Sequence, residues 1–367
     1  MRFVKKYLIV AFGALFVFNS CKNELNILAP YKETVSVYSL LNPQEKLQYV
    51  RINKIFLGEG NAYQMAQVSD SINYKKDDLS VTLERTFNGS SALTTVGNPT
   101  KMQIVLRDTV LQTASGTFNS TQRLYYTTDK LFSYGEYKLN IKNNKTGNVF
   151  TSSTGMIDSI KPTTFFSPIC PVWHPVPYAP SNPNYYYYDN HLPDISRKVK
   201  FYSVPNAREY AVVMRYHFYE FYTSGDSSLK HVDMNLQTVS STELIGGELL
   251  SSEFYMSSFY SKLYADLSPT TNINLLYRRP VKMDFIVTAG TQEFSDYLKI
   301  SAPSTSIAQD KPIYTNINGG YGIFSCRSRL HISKSLHNDL IDYMATTKPM
   351  CDLIFLNCSV VISSICN

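Results

Sequence analysis

The chain of 367 residues carries 35 Lys and Arg against 29 Asp and Glu, a formal charge of +6, and 44% of its residues are hydrophobic. That content excludes an intrinsically disordered chain, and without a long Lys/Arg run there is no electrostatic case for nucleic-acid binding. Its 28 Tyr and 20 Phe against a single Trp favour strands, where aromatic rings pack on a half-buried pleated surface.

At the N-terminus, Arg2, Lys5 and Lys6 precede an apolar run over residues 7–18, the layout of a secretory signal. The run falls short of the about 20 apolar residues a transmembrane helix needs. It ends at Asn19 and Ser20, and the stretch up to Cys21 resembles a bacterial lipobox, in which a small residue precedes a cysteine that is acylated before cleavage. Residues 1–20 are therefore expected to be a signal peptide, Cys21 the lipidated first residue, and 21–29 a tether. Lys22 is not the aspartate that retains enterobacterial lipoproteins at the inner membrane, so the resemblance implies the outer membrane, on its periplasmic face or at the cell surface. The alternative is a soluble secreted chain with a free thiol. Signal removal takes away three basic residues and no acidic one, lowering the formal charge from +6 to +3.

Residues 30–160 read as short strands separated by polar turns. TVSVYSLL (34–41), LQYVRINKIFL (47–57), LSVTLERTF (79–87), MQIVLRDTVL (102–111), QRLYYTT (122–128) and EYKLNIKN (136–143) alternate or run apolar, with turn signals such as NGSS and NNKTGN between them. This spacing predicts an immunoglobulin-like β-sandwich.

Residues 161–194 hold eight of the 17 prolines and the single tryptophan, Trp173, a density that forbids helix and sheet interior. An extended connector is expected, packed along a surface, with Trp173, Tyr185, Tyr186, Tyr187 and Tyr188 as candidate ligand-binding aromatics. Residues 195–350 predict a sheet-dominated α+β domain. KVKFYSV (198–204) and EYAVVMRYHFYEFYT (209–223) read as strands, the second in a hairpin with LKHVDMNLQTV (229–239). Tyr255, Phe259, Leu263 and Leu267 recur at helical spacing before Ser268 and Pro269. PVKMDFIVTAG is a strand, TQEFSDYLKI a short helix, and Leu336, Leu340, Ile341 and Met344 mark another helix. Residues 351–367 form an apolar, Cys-containing tail.

The lipobox, SVYSLLNPQEKLQYVRINKIFLGEG, YGEYKLNIKNNKTGNVFTSST and YTNINGGYGIFSCR together resemble an uncharacterised family of Bacteroidota envelope lipoproteins. The resemblance implies an envelope lipoprotein with an N-terminal immunoglobulin-like β domain. It supplies no functional residues.

The remaining constellations favour structural readings. Cys170, Cys326, Cys351, Cys358 and Cys366 lack the CxxC or close Cys/His spacing of a zinc site; one or two disulfides or buried inert thiols fit instead, with the pairing open. NINGGYGIF lacks the phosphate-loop spacing and reads as a tight turn feeding a strand from Gly322 to Cys326. Asp189, His191 and Asp194 fall short of a metal ligand set. His217 with Asp233 from the facing strand is a candidate acid/base pair or an ordinary cross-strand polar pair. PNYYYYDN and YHFYEFY offer aromatic platforms for sugar rings or interdomain packing. No GxSxG, HExxH or Cys/His signature is present, and no cofactor is expected. The expectation is a noncatalytic, lipid-anchored envelope protein whose partners are the membrane and an outer-membrane protein or glycan. The alternatives are a surface glycan-binding protein and a carboxylate-pair hydrolase.

Overall fold

A computed structural model describes residues 33–55, 64, 67–86, 103–112, 121–163, 172–173, 196–268, 273–301, 313–336, 340–341, 344–345 and 350–356. The chain is mainly β, with an N-terminal sandwich followed by a sheet-dominated α+β part, as its sequence predicts.

The first part pairs β1 (Thr34–Leu41), β2 (Gln48–Ile55), β6 (Thr121–Thr127) and β5 (Arg107–Gln112) in the order β1-β2-β6-β5. Facing them is a four-stranded sheet, β4-β3-β7-β8, from Gln103–Val105, Leu79–Thr86, Glu136–Asn143 and Val149–Gly155. With the strands lettered in chain order, this is the A-B-E-D and C′-C-F-G arrangement of an immunoglobulin-like sandwich. Period-two alternation sets the core: Val35, Val37, Val50 and Ile52 on one sheet meet Val81, Leu83, Leu139 and Ile141 on the other, all buried. The expected single strand over 102–111 is two, because the chain changes sheets at Leu106, whose N–H bonds Val81 O at 3.0 Å. Tyr137, near the start of β7, reaches back so that its hydroxyl accepts the N–H of Phe132 at 3.2 Å, a tyrosine corner.

The second part contributes β11 (Ser196–Tyr202), β12 (Glu209–Tyr222), β13 (Ser227–Asn235), β14 (Val239–Ser240), β15 (Leu249–Tyr255), β16 (Leu275–Gly290) and β17 (Tyr321–Leu336). Two short strands come from the connector, β9 (Lys161–Pro162) on β11 and β10 (Val172–Trp173) on β17. Of the helices, α1 is Ser69–Ile72, α2 is Met256–Leu267 and α3 is Gln292–Ser301. The strand β17 runs through Leu336, a residue expected in a helix; Leu340, Ile341, Met344 and Ala345 are helical after it.

Both parts share one sheet. The order β13-β12-β16-β17-β1-β2-β6-β5 makes β1 the joint, antiparallel to β2 and parallel to β17 from Ser36–Tyr321 to Leu41–Cys326. The glycines of NINGGYG allow this pairing: Gly319 and Gly322 have φ of +78° and +105°, and a Cβ on Gly322 would lie 2.0 Å from Val37 O.

One face of the second part is closed. Tyr210, Val212, Met214, Tyr216 and Phe218 alternate along β12 and pack with Phe285, with Phe201 and Phe254 of the β15-β11-β9 sheet, with Phe259 and Leu263 of α2, and with Phe355. The opposite face of β13-β12-β16-β17 carries the polar chemistry.

Candidate binding face

Alternation along β12 turns Arg215, His217, Tyr219 and Phe221 away from the core. The register with β13 brings Asp233 opposite Arg215 and His231 opposite His217. On the other side, Asp284 lies opposite Arg215 and Lys282 opposite His217. Beyond Lys282 the pairing slips by one residue, so that Phe218 faces Pro280, a bulge at a proline. The extra residue resets the alternation, and Tyr277 and Arg279 share the outward face with Lys282 and Asp284. From β17, Arg329, His331 and Ser333 complete it.

The centre of this face is Asp284. Its Oδ2 is 2.7 Å from His217 Nε2, 3.0 Å from Lys282 Nζ and 3.1 Å from His331 Nε2, and Oδ1 accepts the Ser333 hydroxyl. Burial alone would raise this carboxyl, yet hydrogen bonds from Ser333, Lys282, His331 and His217 hold it far below the usual carboxylate range. Burial lowers His217 despite its hydrogen bond to Asp284, and the like charge of Lys282 and His231 lowers it further. Arg215 grips Asp233 through two 2.7 Å bonds, which raises the guanidinium and lowers the carboxyl.

Next to this knot stands an aromatic ladder. The Phe221 and Tyr277 rings stack at 4.6 Å and 17°, and the exposed Arg279 guanidinium lies 5.6 Å from Tyr219 and 5.4 Å from Phe221. On the buried side of the same strands, Arg278 donates to Glu220 Oε1 at 3.0 Å and to Leu353 O at 2.9 Å, while the Tyr222 hydroxyl bonds Glu220 Oε2.

The candidate pair of His217 with Asp233 is not formed: His217 bonds Asp284, and Asp233 is taken by Arg215. A guanidinium takes both oxygens of the carboxylate it faces, and the imidazole reaches diagonally to the neighbouring strand. Within YHFYEFY, alternation divides the aromatics, burying Tyr216 and Phe218 and turning Tyr219 and Phe221 outward. Trp173 is placed in β10 by its backbone pairing with Leu336. Cys21, Tyr185, Tyr186, Tyr187, Tyr188, Asp189, His191 and Asp194 lie outside the described residues. Sequence reasoning missed Lys282, Asp284, His331 and Ser333. Their signal is a polar residue at every second position of otherwise apolar strands, KMD in β16 and RSRLHIS in β17.

His217, His331 and Asp284 converge, but the Lys282 ammonium occupies the same oxygen. Among the described residues, no set of three His, Cys, Asp or Glu side chains is placed to hold a metal. Cys326 is buried and free, its thiol pushed up to about 12 by burial, whereas Cys351 is disulfide-bonded. Neither has the exposed, lowered thiol of a reactive cysteine.

Two clefts lie elsewhere. One of about 300 Å³ is lined by Gln44, Lys130, Phe132, Tyr134 and Ser159. The rings of Phe132 and Tyr134 also hold the fully buried Arg85, 4.2 and 4.5 Å from its guanidinium, which has no hydrogen-bond partner. The other, about 210 Å³, lies between the end of α2, Arg278 and residues 352–354.

No family model and no curated protein matches the chain. Among solved structures, the C-terminal globular domain of an oligosaccharyltransferase from Pyrococcus abyssi aligns over 68% of this chain at 10% identity, with a TM-score of 0.19. The match spans 47% of that domain's chain, and at this score the likeness carries no argument about fold or function.

Proposed function

We propose that this is an exported, lipid-anchored protein of the outer membrane with a noncatalytic binding or assembly role, presenting the outer face of β13-β12-β16-β17 away from its tether. One observation carries the reading: Glu33, the first described residue, and the outer face lie at opposite ends of a single sheet. Glu33, 12 positions after Cys21, is fixed at the β7–β8 turn, where its carboxylate accepts from the Thr146 hydroxyl and the Asn143 and Asn148 amides. The strand β17 starts beside the beginning of β1 and runs on past its end. Ser333 is therefore 12 residues beyond Tyr321, or about 40 Å along the strand at ~3.3 Å per residue.

The noncatalytic reading is supported by the state of the acids. Asp284 already accepts from four side chains and Asp233 from a two-pronged arginine, so neither offers a free base, and among the described residues no nucleophile hydrogen-bonds His217.

The anchor is tested by expressing Cys21→Ser in a lipoprotein-processing host fed a labelled fatty acid. Loss of label and release from the membrane fraction are expected. A variant that still takes up label and still sediments with membranes would overturn the anchor.

A further inference from the structure

Resting on that reading of the face as a binding surface, we infer its ligand class: an acidic oligosaccharide, a chain of sugar rings bearing carboxylates. The charge on the face is unbalanced in one direction. Its three carboxylates, Glu209, Asp233 and Asp284, are consumed internally by Lys299, Arg215, Lys282 and the histidines. Arg279 and Arg329 are exposed on the same face, and among the described residues neither guanidinium has a carboxylate partner. The fixed cations therefore exceed the fixed anions, and the excess sits at the two ends of the face rather than in its centre.

The spacing of that excess points to an extended ligand. Arg279 is opposite Tyr219, and Arg329 is opposite Thr288, which is opposite Ala211. Eight residues of β12 separate the two levels, about 26 Å along the strand. The two described clefts lie off this face, and two exposed guanidinium groups this far apart suit a polyanion lying along the strands. The aromatic ladder beside Arg279 adds apolar area of the kind a sugar ring covers with its C–H groups, while the guanidinium pairs with a ring carboxylate. An acidic peptide satisfies the charge but leaves the ladder unused.

The test is calorimetric binding of the full mature protein at 50 mM and 200 mM salt to three probes: a polyuronate hexasaccharide, a neutral hexasaccharide of the same linkage, and a hexa-glutamate peptide. The expected result is at least tenfold preference for the polyuronate over both others, weakened by salt. In Arg279→Gln/Arg329→Gln, which removes exposed cations without internal acid partners, that affinity falls about tenfold or more with an unchanged melting temperature. Tyr219→Ala reduces it further. Equal binding of the peptide, or an affinity indifferent to the double substitution, would overturn the inference. Binding of the neutral sugar alone, abolished by Tyr219→Ala, would overturn the acidic specificity yet leave the face a binding surface. No binding of any probe would overturn the ligand class, while the anchor is judged separately by labelling of Cys21.

Discussion

At the scale of single residues, charge on the outer face is arranged so that protonation is unfavourable. His217 is held neutral by burial and by the nearby Lys282, and Asp284 is held ionised by its four donors. Both groups have folded values below their unfolded ones, so each contributes stability that is present above its unfolded value and lost as the pH falls. For His217 the loss begins as pH drops below about 6.5, and for Asp284 below about 4. We therefore expect the melting temperature to fall between pH 7.5 and 5 and again below pH 4, with His217→Gln flattening only the first step. A melting temperature that rises between pH 7.5 and 5 would mean that an imidazolium–carboxylate pair stabilises the fold. Much of this scale was legible in the sequence: the glycines of NINGGYG do serve backbone geometry, as the left-handed Gly319 and Gly322 show. The partner of His217 was not. The competition for Asp233 is decided by Arg215, and Asp284 lies on a strand 67 residues away.

At the scale of elements, local pattern placed most of the strands because alternation and turn residues are properties of short segments. The hairpin of β12 and β13 across residues 223–226 follows from the polar SGDSS between two alternating runs. The apolar recurrence at Phe259, Leu263 and Leu267 likewise gives α2 its buried stripe. Pairing between distant strands has no such signal, and the parallel contact of β1 with β17 joins residues about 285 positions apart. The consequence concerns the proline-rich connector. Cutting the chain between 174 and 195 separates the sequence into two fragments, but the six-residue β1–β17 ladder and the β9–β11 and β10–β17 contacts cross that cut or flank it. We expect a protein cleaved there, through an inserted protease site, to elute from a sizing column as one species under native conditions and to separate only in denaturant. Two fragments eluting independently would show that the shared sheet does not hold the parts together.

For the whole molecule, the sandwich and the α+β part act as one elongated sheet with chemistry at one pole and the chain's entry at the other. Glu33 fastens the entry, and its carboxyl is held below the usual range: burial raises it, and the hydrogen bonds from Thr146, Asn143, Asn148 and Tyr74 outweigh that effect. From there to the ladder at Phe221 and Tyr277, the strands run about 70 Å at ~3.3 Å per residue. On the proposed anchoring at Cys21, the β7–β8 turn beside Glu33 is expected to face the membrane and the β12–β13 turn to point away from it. The export signal and the lipidated cysteine are expectations from the sequence; the polarity of the sheet follows only from the register of β17 on β1. The most direct measurement places a fluorophore at Thr146 or at Ser224 of the lipidated protein on vesicles whose headgroups carry an energy-transfer acceptor. The account predicts strong transfer from Thr146 and little from Ser224; equal transfer from both, or stronger transfer from Ser224, would contradict it.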